Sequence, residues 1–329
     1  MKKFISYFLL AAILPAFILT GCKKDDDKGT FTTLANYMTS NDLDLPQVLS
    51  EPSKWIVAPT LTTENGIVDS ADGYSIPGYH VFDIRKSADF INGHVKGAIN
   101  VPLTNVLTKA KEVGKDKPIL VICYSGQTAS RAVMALRLSG FKDAQVMKFG
   151  MSYWNPAFDK WTAKVANIAN DNANWVTDAS ATAPVNTYPQ WTSGSTDGAT
   201  ILSEHITTML ANTSWIVHSS DILTSPESHN IYNYWDKTTY LSIGHFKDAY
   251  QYSPISITGD VLQALPTSAE CLIYCYTGQT SSMAVAWLQV LGYNAKSIAY
   301  GVNSLKYDAL VTAQKPAWKH AHDYSYVTE

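Results

Sequence analysis

The sequence predicts an α/β protein made of two related units, each a mostly parallel sheet with helices on both faces. The first observation is an internal repeat: residues 119–141 and 271–293 align without a gap and share 11 of 23 residues. The second is the alternation of short apolar runs with helical segments, which is typical of parallel sheets. The third is the length of 329 residues, which gives room for two cores. A repeat separated by 152 residues is a whole domain, not a solenoid turn.

The N-terminal residues predict a signal peptide over 1–21, because a positive start precedes an apolar run too short to span a membrane comfortably. Leu19–Cys22 resembles a bacterial lipobox, in which the chain is cut before Cys22 and that cysteine is acylated. A plain signal peptide or membrane anchor is the alternative. Acyl chains hold a protein on a membrane at ~0.8 kcal/mol per buried methylene. A charged tether follows over 22–32.

We therefore expect a lipid-anchored protein of the bacterial cell envelope. No Asp follows Cys22 directly, so retention at the inner membrane is not signalled, and the outer membrane is the expected location, on its periplasmic or surface side. The formal net charge of −3 gives no basic patch that would suggest nucleic acid as a partner.

The first predicted domain covers residues 33–165. It begins with a helical lead-in over 33–50. The predicted strands are 55–57, 80–84, 98–101, 118–124 and 144–148. The predicted helices are a short one capped by Ser87, one over 105–113 that ends at Gly114, and one over 129–138 that ends at Gly140.

A linker is predicted over 166–200, and its Asn-, Ala-, Thr- and Ser-rich part indicates loose structure. The second domain covers 201–329, and its Trp215-Ile-Val217 repeats Trp55-Ile-Val57. It is partly degenerate. Counting back from His245 without a gap places Tyr234, Asp236 and Tyr240 where the first domain has Asp83, Arg85 and Asp89.

Two cysteines stand at equivalent strand ends. Cys123 ends an apolar strand, and a short polar loop with Gly126 leads into a helix; Cys275 and Gly278 repeat the arrangement. Open α/β sheets place their chemistry at the carboxyl ends of strands. Loop N–H groups and the helix N-terminus would lower the pKa of a thiol there, so we expect Cys123 to be largely thiolate and nucleophilic.

Both loops resemble the active-site loop of rhodanese (sulfurtransferase) domains, which has a cysteine at a strand end and glycine at the fourth loop position. Cys123–Thr128 and Cys275–Thr280 fit this pattern. Other motifs of the family match Asp83-Ile-Arg85 with the Gly93–Asn100 stretch, and Phe149-Gly-Met followed by Trp154. The resemblance covers about residues 50–160 and, more weakly, 210–312. The chain is similar to tandem rhodanese-like proteins, here in the form of a lipoprotein.

The resemblance implies sulfur transfer through a cysteine persulfide, first on Cys123 and second on Cys275. The donor would be thiosulfate, a polysulfide or a persulfide, and the acceptor a small thiol, with no cofactor and no metal. The resemblance implies that backbone amides of the two loops hold the substrate: Tyr124, Ser125, Gly126, Gln127 and Thr128, and Tyr276, Thr277, Gly278, Gln279 and Thr280. The supporting residues are Asp83, Arg85, His94 and Arg131, with His94 expected to be a packing or turn residue.

Other functions remain open at this point. A non-catalytic anion-binding, partner-binding or sulfur-sensing lipoprotein is the main alternative. A phosphatase of the same fold would need an arginine where Ala129 and Ser281 stand. A thiol–disulfide oxidoreductase would need a Cys-x-x-Cys pair. Cys271 aligns with Ile119, so we expect it to be a buried apolar residue rather than a partner of Cys275.

Overall fold

The structure is a computed structural model that describes residues 29–329. The predicted signal peptide and Cys22 lie outside the described residues, as does most of the predicted tether. Gly29 already forms a β-bridge with Ser193, and the first helix begins at Phe31, so the end of the predicted tether belongs to the folded part of the chain. Within residues 29–329, the helices are all too short or too polar to cross a membrane.

The first half of the chain, residues 31–165, holds six α-helices and five strands. In chain order these are α1 (Phe31–Ser40), α2 (Leu45–Ser50), β1 (Ile56–Val57), β2 (His80–Asp83), α3 (Ser87–Ile91), β3 (Ile99–Asn100), α4 (Val106–Val113), β4 (Ile119–Ile122), α5 (Gln127–Leu138), β5 (Gln145–Met147) and α6 (Met151–Trp154). Ser87 is the first residue of α3, and Lys86 precedes it with no side-chain cap, so the predicted cap is wrong.

The five strands form one parallel sheet in the order β1-β5-β4-β2-β3. The middle strand β4 is buried along its whole length because β-branched and apolar residues face helices on both sides of the sheet. The carboxyl end of β4 delivers Cys123, and α5 begins four residues later. This half therefore confirms the predicted α/β fold with a parallel sheet flanked by helices.

The second half, residues 198–315, repeats the plan after one strand in the connecting segment. In chain order the elements are β6 (Trp175–Val176) in that segment, then α7 (Gly198–Ala211), β7 (Ile216–Val217), α8 (Ser219–Thr224), β8 (Asn230–Asn233), α9 (Lys237–Ile243), β9 (His245–Phe246), β10 (Tyr250–Gln251), β11 (Cys271–Tyr274), α10 (Gln279–Val290), β12 (Ala295–Ile298) and α11 (Tyr307–Thr312). The parallel sheet has the order β10-β8-β11-β12-β7, with β11 buried at its centre.

The segment between the halves is not loose, in contrast to the prediction. Its strand β6 pairs antiparallel with β9. The backbone N–H and the side-chain amide of Asn186 both donate to the carbonyl of Gln263. The ring centroid of Trp191 lies 4.3 Å from that of His205. Polar composition predicted a flexible linker, but tertiary partners on the second half fix this segment in place.

The halves meet through helices α5 and α10, which pack against each other. Apolar side chains of both helices, among them Met134, Leu136, Met283 and Leu288, belong to one continuous buried cluster that also includes residues of α1 and α7. Because α5 and α10 both begin at a cysteine loop, this packing brings the two loops to the same boundary between the halves.

The residues after α11 return to the first half. Val327 forms an antiparallel bridge with His94, and Trp154 donates its indole N–H to the carbonyl of Ser325 over 2.9 Å. Tyr324 is buried against Trp154, with the ring centroids 5.1 Å apart. We refer to residues 316–329 as the return segment.

Candidate active site

The loop that follows β4, residues 123–128, wraps its backbone around the sulfur of Cys123; we call it loop 1. Gly126 adopts φ of +82°, which favours glycine and turns the chain into α5. The turn aims N–H groups at the thiol: the amide of Gly126 lies 3.1 Å from Sγ and that of Ala129 3.4 Å. A sulfur anion at this position would be held by backbone amides and by the N-terminus of a twelve-residue helix.

Burial nevertheless outweighs these amides for the free thiol. Cys123 is only 6% exposed. Burial raises the pKa of the Cys123 thiol, and the amides of Ala129, Ser125, Gly126 and Thr128 only partly oppose this, so the pKa lies above its ordinary value. The expectation of a resting thiolate at Cys123 is therefore wrong, because the loss of water around the sulfur was not visible in the sequence.

Loop 2, residues 275–280, repeats the backbone plan with one chemical change. Gly278 has φ of +76°, and the N–H of Ser281 lies 3.3 Å from Sγ of Cys275. Ser281 replaces Ala129, and its hydroxyl oxygen lies 3.5 Å from the same sulfur. Cys275 is 2% exposed. The sulfur of Cys275 therefore has a hydroxyl group and the backbone amide of Ser281 beside it, and it is less exposed than the sulfur of Cys123.

The two loops contact each other through a pair of glutamines, which nothing in the sequence predicted. Gln127 of loop 1 accepts a hydrogen bond at Oε1 from the backbone N–H of Tyr300, over 2.8 Å. Gln279 of loop 2 donates from Nε2 to the carbonyl of Ser125, over 3.3 Å. Both glutamines are buried. A Cβ on Gly126 would lie 1.9 Å from the Gln279 side chain, so glycine is also needed for this approach.

Asp83 and Arg85 form a buried ion pair beside loop 1. Nη2 of Arg85 lies 2.7 Å from Oδ2 of Asp83 and 2.6 Å from the carbonyl of Gly93. Burial acts to lower the pKa of Arg85, but the bonds and charge of Asp83 raise it above its ordinary value. The guanidinium lies 5.0 Å from the ring centroid of Tyr124. The ion pair therefore packs against Tyr124, the residue that follows Cys123.

His94 and Arg131 lie away from the sulfur chemistry. The ring of His94 stacks on Phe90 at 3.6 Å, and its Nδ1 lies 2.9 Å from the Phe90 carbonyl. Arg131 is fully buried. It donates to the carbonyls of Met209 and Asn212 and to Oε1 of Gln289. Burial lowers the pKa of Arg131 to about 9. Arg131 therefore joins the halves.

The second half lacks this ion pair, and the register differs from the prediction. Asn233 pairs with Tyr274 in the sheet as Asp83 pairs with Ile122, so Asn233, and not Tyr234, occupies the place of Asp83. Trp235, and not Asp236, occupies the place of Arg85. The count without a gap was wrong because Asn233 and His245 lie 12 positions apart, whereas Asp83 and His94 lie 11 apart. The connection after β8 is therefore one residue longer than the alignment assumed.

Other residues enter the two sites from distant parts of the chain. Lys160 Nζ lies 5.4 Å from the ring centroid of Tyr124, and Lys315 Nζ lies 5.9 Å from that of Tyr276. Trp161 donates its indole N–H to the carbonyl of Ser125 over 3.3 Å. Sequence reasoning missed all three, since it searched for cations within the loops and these contacts depend on tertiary structure.

Thr128 and Thr280 are half-buried at the starts of α5 and α10. Cys271 is fully buried as predicted, and burial raises its pKa to about 12. The three cysteines of residues 29–329 are free thiols. Within the same residues, no group of three or more His, Cys, Asp or Glu side chains is placed to hold a metal ion.

A family model described as rhodanese-like domain matches residues 71–157. Thiosulfate sulfurtransferase GlpE of Shewanella oneidensis is 31% identical over 93 residues, which are 28% of this chain and 89% of that protein. The uncharacterized protein YibN of Escherichia coli is 37% identical over 79 residues, 22% of this chain and 54% of that protein. The chain thus spans about half the length of YibN.

Among solved structures, a rhodanese-related protein from Thermoplasma volcanium is 26% identical, with 29% of this chain and 85% of that chain covered and a TM-score of 0.24. A 3-mercaptopyruvate sulfurtransferase from Leishmania major is 16% identical, with 80% and 77% covered and a TM-score of 0.27. These scores are too low to add to the description of the fold given above.

Proposed function

The chain belongs to the rhodanese-like family, and on that premise we propose that it transfers sulfane sulfur through a persulfide on Cys123. Its sulfurtransferase relatives support sulfur transfer in general. The observation that carries the finer proposal is the set of loop 1 amides aimed at one sulfur, with those of Gly126 and Ala129 at 3.1 and 3.4 Å. Such donors stabilise a sulfur anion and leave it able to react.

The reaction has two steps. The thiolate of Cys123 attacks the outer sulfur of the donor and forms a new S–S bond. The donor's own S–S bond breaks, and sulfite leaves with the electron pair when the donor is thiosulfate, or a shorter thiolate when it is a polysulfide or persulfide. An acceptor thiolate then attacks the outer sulfur of the Cys123 persulfide, and Cys123 leaves as thiolate.

The raised pKa of Cys123 favours the neutral thiol before reaction, so we expect the negative charge on sulfur to be greatest after the persulfide has formed. A persulfide is more acidic than the corresponding thiol, so the loop amides have more anion to stabilise once the outer sulfur has arrived. The exposed Lys160, beside Tyr124, adds a cation near loop 1 that an anionic donor would meet. We therefore expect anionic sulfane donors to load Cys123.

The second candidate is a non-catalytic binding or sulfur-sensing role. It is favoured by the burial of both cysteines, of which 6% and 2% is exposed, and by the close contact between loops 1 and 2. In that role the loops would hold an anion or one sulfur atom without passing it on.

The deciding measurement is the intact mass of residues 23–329 after brief exposure to thiosulfate and, separately, to polysulfide. Cys123→Ser, Cys275→Ser and the buried control Cys271→Ala are treated in parallel. Gain of one sulfur that disappears with Cys123→Ser alone, and passes to an added thiol, supports the proposal. Loss with Cys275→Ser alone moves the site to loop 2. No gain on protein with free thiols overturns sulfur transfer and favours the second candidate.

The lipid anchor on Cys22 and the envelope location stay predictions of the sequence, and we propose them on that basis. Replacement of Cys22 by Ala should move the protein from the membrane fraction to the soluble fraction. Unchanged membrane association of Cys22→Ala would contradict an acyl anchor.

A further inference from the structure

The peptide unit between Ser125 and Gly126 has hydrogen bonds at both ends. Its N–H, on Gly126, points at Sγ of Cys123 over 3.1 Å. Its carbonyl oxygen, on Ser125, accepts from Nε1 of Trp161 and from Nε2 of Gln279, each over 3.3 Å. Because a peptide unit is planar, the two bonds at the carbonyl fix the direction of the N–H at the other end. They also polarise the unit, which strengthens the N–H as a donor.

Gln279 comes from the second half and is held firmly. It is the first residue of α10 and is 1% exposed. Its side chain lies over Gly126, where any Cβ would collide with it. A carbonyl oxygen only accepts, so the amide nitrogen is the atom of Gln279 that faces Ser125. Through the buried side chain of Gln279, the second half thus contacts the loop whose backbone amides surround Cys123.

A second contact fixes the same loop. Tyr300, also from the second half, donates its backbone N–H to Oε1 of Gln127. The Nε2 of Gln127 in turn donates to Oγ of Ser125 over 3.1 Å. Both the main chain and the side chain of Ser125 are therefore connected to the second half.

The close approach of the glutamines is reciprocal, since a Cβ on Gly278 would lie 2.4 Å from Oε1 of Gln127, but the hydrogen bond to the loop carbonyl is not. Thr277 of loop 2 is the counterpart of Ser125, and among residues 29–329 no side chain donates to its carbonyl oxygen. The contact from the second half therefore reinforces the peptide unit of loop 1 only. This difference points to a role at Cys123, because packing between two similar helices would not by itself require it.

We propose that Gln279 is a positioning residue of the Cys123 site, acting through the Ser125–Gly126 peptide unit. The second half then completes the site of the first half. The proposal rests on the proposed function for its catalytic meaning, since the sulfur anion it stabilises is the thiolate and then the persulfide of Cys123. The titratable side chain of the second half that faces Cys123 is Tyr300, and loop 1 itself carries no charged side chain.

The test replaces Gln279 by Met, which keeps the length and removes the donor, and by Glu, which places a carboxylate against the Ser125 carbonyl. Gln289→Met is the matched control: it removes a bond to Arg131 at the same boundary, over 2.9 Å, without contacting loop 1. All variants carry Cys275→Ser. The pH dependence of alkylation at Cys123 is measured together with the rate of persulfide formation and the Gly126 amide signal by NMR.

We expect Gln279→Met to slow persulfide formation and alkylation near neutral pH by about three- to tenfold, as the loss of one hydrogen bond predicts. Its alkylation profile should move to higher pH, that of Gln279→Glu should move further, and Gln289→Met should leave it in place. An unchanged profile and Gly126 signal in Gln279→Met overturns the proposal, as does an equal shift in Gln289→Met. Alkylation needs no sulfur donor, so failure of persulfide formation in the parent protein would count against the proposed function alone.

Discussion

Loop 1 and loop 2 share a backbone plan and differ in what supports it. Beside loop 1, the buried Asp83–Arg85 pair places a guanidinium 5.0 Å from the ring of Tyr124. Beside loop 2, the ring of Trp235 lies flat on Tyr276 at 4.7 Å, with 7° between the planes. An aromatic stack thus stands where an ion pair stands in the first half. The loop conformation therefore does not depend on the charged pair.

The replacement has left polar atoms without partners. Within the described residues, both side-chain polar atoms of Asn233 lack a hydrogen-bond partner, and so do Nε1 of Trp235 and the hydroxyl of Tyr274. In the first half, Asp83 accepts several bonds from Arg85. Unpaired buried polar groups cost stability. The first half retains a hydrogen-bonded ion pair beside its cysteine loop, in which Nη1 of Arg85 lacks a partner among the described residues, and the second half has lost that pair.

The two halves should respond most differently to alkaline pH. Burial raises the pKa of Tyr240 to about 12, and it also raises the pKa of other tyrosines of the second half, among them Tyr232, Tyr234, Tyr252, Tyr274 and Tyr293. Because these values exceed the unfolded value of about 10, their contribution to stability is complete below about pH 10 and is lost as the pH rises further. We expect the second half to unfold cooperatively above that pH.

Tyrosinate absorbance and circular dichroism check this expectation when followed together. The two signals should change in one transition, and Tyr240→Phe should move it to higher pH more than Tyr79→Phe in the first half does. Gradual ionisation of the tyrosines with unchanged circular dichroism would contradict it.

Removing the acidic partner should cost more in the first half than in the second. Asp83→Ala leaves the Arg85 guanidinium buried without its counter-charge, so we expect a loss of about 3–5 kcal/mol in the free energy of unfolding. Asn233→Ala removes a side chain that has no partner among the described residues, and should cost about 1 kcal/mol. Urea unfolding of both variants measures the difference. Equal losses would mean that the ion pair is no more important than its uncharged counterpart.

Arg131 offers a smaller difference, because the second half has Met283 at the matching position. Arg131→Met deprives the carbonyls of Met209 and Asn212 of a donor, and we expect a loss of about 1–3 kcal/mol. Lys109→Met, which removes an exposed pair with Glu112, should change stability by less than about 1 kcal/mol. If the two variants unfold at the same urea concentration, Arg131 does not join the halves in the way described.

The smallest expected difference between the halves is in the alkylation rates of their two loop cysteines. The pKa of Cys123 lies above its ordinary value, so its alkylation in Cys275→Ser should still increase above about pH 8.5. Cys275 is the less exposed thiol and should react more slowly than Cys123 when measured in Cys123→Ser. If the alkylation rate of Cys123 stopped increasing below neutral pH, the thiol would already be ionised there, as the sequence predicted.

Much of the fold could be predicted from the sequence because local signals determine it. The repeat around Cys123 and Cys275 predicted two parallel sheets, and glycines such as Gly114 predicted helix ends. Contacts between distant segments could not be predicted in this way. The bonds of Gln127 and Gln279, the inward direction of Arg131 and the desolvation of Cys123 all arise from the packing of α5 against α10. The one-residue error at Asn233 arose because a count without a gap ignores the longer connection between β8 and His245.

The return segment has a consequence for synthesis on the ribosome. Trp154 and His94 belong to the first half, yet they bond Ser325 and Val327, which are translated some 170 and 230 residues later. The sheet of the first half can form while the second half is still being translated, but the surface around Trp154 and His94 is covered only once residues 316–329 have been made. The first half is therefore translated first, but its last tertiary contacts form only after the C-terminal residues have been translated.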